Sequence, residues 1–153
     1  MKDVERAYLA GLFDGEGCPN ATFNSKAYKG KRYYWPSVQF VITGQYQHMH
    51  QVMEMFGVGD KVYEQQSKRA WDFRATRPEH VLRLIDIILP YVKLKNKQLQ
   101  LLRSAAGFMM EHRSHSKWSQ KDKEFFNKSF VQPLQKSTST GEKKGRKRVH
   151  SFL

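Results

Sequence analysis

Cysteine is almost absent from this chain: Cys18 stands alone among 153 residues. A lone thiol excludes an internal disulfide framework and a zinc site built on paired cysteines, and it suits a reducing compartment or indifference to redox state. Long apolar runs are missing as well, since no stretch approaches the ~18 residues that a membrane span requires. Among the six histidines, His112 and His115 come nearest to metal-ligand spacing, but they stand three apart, one short of the interval that sets two ligands on one helix face. No Ser/His/Asp set and no phosphate-cradling glycine loop stands out. The opening residues, Met1-Lys2-Asp3-Val4-Glu5-Arg6, are charged and run straight into a helical pattern, so a soluble, unprocessed protein without a targeting signal is expected.

Acidic residues are the other shortage. Fourteen Asp and Glu face 27 Lys and Arg, which leaves a net charge of +13. Such an excess repels itself in a compact chain and is tolerated where a polyanion neutralises it, so nucleic acid is the leading partner. A membrane-surface binder would gather its charge on one amphipathic helix, whereas here it is spread along the chain. Charge alone does not separate DNA from RNA. Core-forming material is plentiful: 39% of residues are hydrophobic, with ten Phe, seven Tyr and three Trp, at a length typical of one domain.

Asp3 is a candidate N-cap for a first helix running to about residue 13 and ended by the glycines at 15 and 17. Residues 18–26 and 33–43 alternate as strands do, joined by a basic turn that includes Lys26, Lys31 and Arg32. A second helix is expected over 46–56, stopping at Gly57, and a second strand pair near 61–67 and 69–75. Thr76-Arg77-Pro78-Glu79 has capping-box form, so a third helix should start there and end before Pro90. Helices follow at about 93–112 and 119–131, and 135–153 reads as a flexible basic tail after a single 1–134 domain. The order is α-β-β-α-β-β-α with extra helices, an α+β fold with an antiparallel sheet.

Ala7, Gly11 and Gly15 recur every four residues along the first helix, a smooth ridge that lets another helix approach closely. Ending the helix accounts for Gly15 and Gly17 but not for Gly11, and a mid-helix glycine costs about 1 kcal/mol against alanine. Packing against a partner helix would compensate. With one such ridge in the chain, that helix belongs to a second copy in a two-fold homodimer. Glu16 follows at the partly negative end of the helix, where a carboxylate is disfavoured, more so beside its symmetry mate. A divalent cation relieves both problems. On its own a Glu in a glycine-rich turn reads as solvated surface. As ligands, two Glu16 carboxylates, the Gly15 carbonyls, phosphate oxygens and water would form the hard-oxygen set that suits Mg²⁺, with Mn²⁺ or Ca²⁺ able to substitute for binding, and it is the resemblance set out next that favours this reading. Asp14 is assigned to structure, bonding backbone near the helix end.

The segment Leu9-Ala10-Gly11-Leu12-Phe13-Asp14-Gly15-Glu16-Gly17 resembles the signature of the LAGLIDADG homing endonuclease family, differing only at Phe13, Gly15 and Glu16. Phe56-Gly57-Val58-Gly59 and Leu89-Pro90-Tyr91-Val92-Lys93-Leu94-Lys95-Asn96-Lys97 follow in the family's order. One motif per chain matches the homodimeric type. The resemblance implies an αββαββα fold whose sheet binds DNA, and a metal-dependent endonuclease that is intron-encoded. Its target would be a long, nearly palindromic duplex, cut to leave short 3′ overhangs, in an organelle matrix or a microbial cytoplasm. It also implies that Lys95 approaches the metal site and stabilises charge on the phosphate. A water-organising glutamine is common just after the second strand, but Gly44 occupies that place here, and Gln45, one step late, is the nominee, with His48 or solvent as its replacement.

A sheet laid in the major groove must offer polar groups on one face and apolar groups to the helices behind it. Alternation puts Thr22, Asn24, Ser37, Gln39, Tyr63, Gln65, Asp72 and Arg74 on the groove side, and Phe23, Phe40, Val62, Trp71 and Phe73 on the core side. Two other readings share the charge. A cleavage-inactive relative acting as an RNA splicing maturase or a DNA-binding regulator would have no use for Glu16, and a basic ribosome-associated protein would leave the nonapeptide unexplained.

Overall fold

The computed structural model describes residues 1–67, 69–113 and 118–138. In chain order the elements are α1 (Asp3–Glu16), β1 (Gly17–Tyr28), β2 (Lys31–Gly44), α2 (Tyr46–Phe56), β3 (Lys61–Glu64), β4 (Trp71–Ala75), α3 (Pro78–Ile88), α4 (Asn96–Glu111), α5 (Gln120–Phe126) and α6 (Gln132–Thr138). The expected α-β-β-α-β-β-α order is therefore present. The four strands form one antiparallel sheet in the order β1-β2-β4-β3. Lys29 and Gly30 link β1 to β2 with positive φ at both positions, the geometry whose twist matches a right-handed hairpin.

Phe40 on the central strand β2 organises the core. Its ring stacks on Phe13 of α1 at 4.6 Å and meets Phe56 of α2 and Phe73 of β4 edge-on at 5.9 and 6.5 Å. All four are buried, and full burial of such a side chain contributes about 1.5–3 kcal/mol. Leu84, Ile85 and Ile88 of α3 and Leu99 and Leu102 of α4 complete the layer of helices behind the sheet. Gly59 approaches the Phe73 ring so closely that a Cβ there would overlap it.

Several boundaries differ from expectation, each for a physical reason. Helix α1 begins after Lys2, whose N–H donates to the Glu5 carboxylate at 2.7 Å, so Asp3 is the first helical residue and not its cap. Its other end runs through Gly15 to Glu16 and passes directly into β1, with Gly17 in extended backbone, not in a left-handed cap. A Cβ on Gly17 would overlap the Phe13 ring and carbonyl, so the glycine serves close approach. The capping box at Thr76 does not form. Instead the Asp60 carboxylate accepts from the Thr76 hydroxyl at 2.7 Å, from the Thr76 and Arg77 amides and from His80 Nδ1 at 2.7 Å, because an ionised acceptor outcompetes a neutral hydroxyl. The second strand pair is shorter than expected, as Gln65 N–H already closes on the Ala70 carbonyl. At the C-terminal end the helical run does not stop at residue 131. A π-helical turn, Asn127–Val131, precedes Pro133, which has no amide hydrogen to donate, and α6 then carries Leu134 into the core. Residues 135–138, assigned to the tail, therefore belong to this helix, and the remainder of that tail, 139–153, lies outside the described residues.

Candidate active site and nucleic-acid interface

The C-terminal end of α1 and the start of α4 are joined by one carboxylate. Asp14 accepts the backbone N–H groups of Lys93, Leu94 and Lys95 at 2.8, 3.1 and 2.9 Å. Burial by itself would raise its pKa, but these three donors and the Lys95 charge outweigh burial and hold the carboxyl below the usual range. The structural role expected of Asp14 is thus observed.

The same clasp delivers Lys95. Its ammonium donates to the carbonyls of Phe13, Gly15 and Gly17 at 3.3, 3.4 and 2.7 Å, a cation set on the negative end of a helix. Lys93 and Lys97 are exposed, as ordinary surface lysines are. Glu16, the last residue of α1, stands between Gly15 and Gly17 and is exposed, as is Gly15. One chain therefore supplies a single carboxylate and a few carbonyl oxygens here. Among the described residues no group of three or more His, Cys, Asp or Glu could hold a metal ion. The donors present are hard oxygens of the kind Mg²⁺ takes.

Gln45 is exposed ahead of α2, at the same end of the sheet as Glu16 because Gly17 pairs with Ile42, and its side chain bonds to nothing among the described residues. His48 Nε2 bonds the Tyr8 hydroxyl at 2.6 Å, and its Nδ1 lies toward Gly44, next to Gln45.

Strand pairing resolves the two faces of the sheet. Thr22 opposes Ser37, Asn24 opposes Trp35, Lys26 opposes Tyr33, and Asn20 opposes Gln39, so these share one face with Lys31, Lys61, Tyr63, Gln65, Asp72 and Arg74. Arg32 falls on the opposite parity, paired with Ala27 and donating to Ser25, and is not on the polar face. Ser37, short and in the middle of β2, is buried at 8% exposure and offers little to a ligand. Asp72 departs furthest from expectation. It is only 4% exposed, and its carboxylate accepts from Thr43 Oγ1 at 2.7 Å, Gln65 Nε2 at 2.8 Å and Arg74 Nη2 at 2.9 Å. Burial pushes its pKa up, yet these donors and the arginine charge outweigh that and keep it ionised below the usual range. Asp72 holds its neighbours and does not meet the groove itself. Exposed Tyr28, Tyr33 and Trp35 lie on this polar face too, marked by the same alternation. On the core side Phe40 and Phe73 are fully buried, while Phe23, Val62 and Trp71 are half-buried against the cluster.

The ridge on α1 faces outward. Ala7, Gly11 and Gly15 are exposed with Val4 and Tyr8, and a Cβ added at Gly11 or Gly15 would meet nothing within 4 Å. Nothing among the described residues requires glycine at position 11.

Solved structures share this architecture. The homing endonuclease I-CvuI, in complex with the I-CreI target in the presence of Mg, aligns with 93% of this chain and 86% of its own at 19% identity and a TM-score of 0.71. The archaeal intron-encoded homing endonuclease I-Vdi141I, complexed with DNA, aligns with 95% of this chain and 91% of its own at 16% identity and a TM-score of 0.73. The LAGLIDADG meganuclease I-AabMI, bound to uncleaved DNA, aligns with 85% of this chain but 46% of its own at 17% identity and a TM-score of 0.65. These identities establish likeness of fold. No curated protein matches the sequence. The family model described as LAGLIDADG endonuclease matches residues 9–106, from the ridge of α1 through the Lys95 clasp and most of α4, and on that match the chain belongs to the LAGLIDADG family of DNA-cleaving nucleases.

Proposed function

We propose that this chain is an intron-encoded homing endonuclease that acts as a homodimer on one long, nearly palindromic duplex, hydrolysing both strands to leave short 3′ overhangs with Mg²⁺ as cofactor. The observation that carries the reading is the end of α1, where exposed Glu16 stands between the two glycines whose carbonyls accept from the Lys95 ammonium, at the foot of an exposed small-residue ridge. Pairing two ridges would bring two Glu16 carboxylates together. I-AabMI supports this count, since the present chain spans less than half of that DNA-bound chain.

Glu16 and the Gly15 carbonyl would hold the divalent ion with their symmetry mates and the phosphates. When bound, the ion activates water and shields charge on the phosphodiester. The chain does the rest. Lys95 keeps a positive charge at the helix end where phosphate must enter, offsetting the negative dipole that would otherwise repel it. Its three N–H bonds all point at carbonyls, so contact with phosphate requires exchanging one of them. The polar face of the sheet binds and orients the duplex independently of Glu16.

Incubating the protein with Mg²⁺ and a randomised duplex library, then sequencing the cut ends, identifies the target. Glu16→Gln is then expected to lower cleavage by at least about a hundredfold while leaving specific binding nearly unchanged. Cleavage retained in that variant would remove Glu16 from the site.

A further inference from the structure

Asp72 sits under the reading face with both oxygens taken by side chains that reach it from three directions. Arg74 gives it one N–H, and the guanidinium also lies over the Tyr63 ring at 5.2 Å, so the head group is held on two sides. Its Nη1 has no partner among the described residues. Gln65 comes from beyond the end of β3 and gives its amide nitrogen to the same carboxylate. An ionised carboxylate accepts only, so the amide cannot turn over, and the carboxamide oxygen is the acceptor left to the exterior. Together they line an open recess of about 500 Å³, wide enough for the edge of a base.

We infer that Asp72 is a positioning residue that fixes Arg74 and Gln65 as a donor–acceptor pair, reading a guanine and, in the neighbouring base pair, a base whose exocyclic amino group lies in the major groove. The arginine donors match guanine O6 and N7, and the glutamine oxygen matches adenine N6 or cytosine N4. This rests on the duplex-cutting function proposed above and assigns one base step within each half-site. Asp72 itself touches no base.

The chemistry of Asp72→Asn supplies the test. Asparagine has one acceptor oxygen, and the charged arginine takes it; the new amide then donates toward Gln65, which must turn and present its own amide outward. Binding selections from a duplex library randomised across the half-site should show the wild type choosing guanine beside adenine or cytosine. Asp72→Asn should keep the guanine but move the neighbouring preference to thymine or guanine, whose edges accept, by about tenfold. Adding Gln65→Glu to Asp72→Asn returns an acceptor to the surface and should restore the original choice, a rescue that a merely structural role would not produce. Gln65→Leu leaves the carboxylate in place and should erase only the neighbouring preference, which keeps the test decisive if the asparagine variant folds poorly. An unchanged neighbouring preference in Asp72→Asn or Gln65→Leu overturns the inference, as does a wild-type target lacking such a step. A wild type that selects no sequence at all overturns the duplex reading itself and the inference with it.

Discussion

Asp14 illustrates how one side chain can carry both stability and function. Its three amide donors span the joint between α1 and α4, and Lys95 reaches the Glu16 end only because that joint is closed. The sign of its pH dependence follows from a folded-state pKa that is depressed. Its contribution is complete above the unfolded carboxylate value near pH 4 and is lost as pH falls through the lower folded value. Asp60 and Asp72 are depressed in the same direction and add to this acid limb. Asp14→Asn should therefore lower stability by about 1–2 kcal/mol at neutral pH, the value of charged hydrogen bonds discounted for partial exposure. The difference from wild type should shrink toward pH 3. Urea unfolding at pH 7 and pH 3 measures both, and a difference that does not shrink would place the acid sensitivity elsewhere.

At the scale of elements, α1 is the helix whose composition is least explained by its own chain. Gly11 has open space around it, so Gly11→Leu should leave the single chain folded and favour its helix, by up to about 1 kcal/mol from propensity alone. The same change should keep two ridges apart. Sedimentation is expected to show the wild type at twice the 18.0 kDa of one chain and the variant at one, with cleavage abolished. A variant that remains dimeric would show that another surface pairs the chains. This contrast was legible in the sequence, because the spacing of small residues can be counted without coordinates. The role of Asp72 was not. Alternation along β4 gives the side on which a residue falls, but whether a polar residue there meets solvent or is consumed by neighbours depends on strands brought together by the fold. The helical run past residue 131 escaped for a related reason: its continuation shows only where Leu134 packs onto the core.

For the molecule as a whole, the +13 charge and the polar face of the sheet make separable contributions. Exposed Lys26 and Lys31 lie beside the turn of the β1–β2 hairpin, where they suit phosphates and not base edges. Affinity for the target should fall linearly with salt on a log–log scale, and Lys26→Ala or Lys31→Ala should each reduce the slope by about 0.9, without altering base preference. Titrations at several salt concentrations against the target and single-base variants read both quantities. A lysine variant with an unchanged slope and a relaxed base choice would make that residue a reader.

The clasp between Asp14 and the start of α4 joins positions 79 to 81 residues apart in the chain. A contact of that separation closes a long loop, and its entropic cost is recovered only when the intervening elements have already packed. During synthesis the ridge, Glu16 and all four strands exist before Lys95 has been added. The polar face of the sheet is therefore complete in outline before the clasp can close and set the Lys95 ammonium against the end of α1.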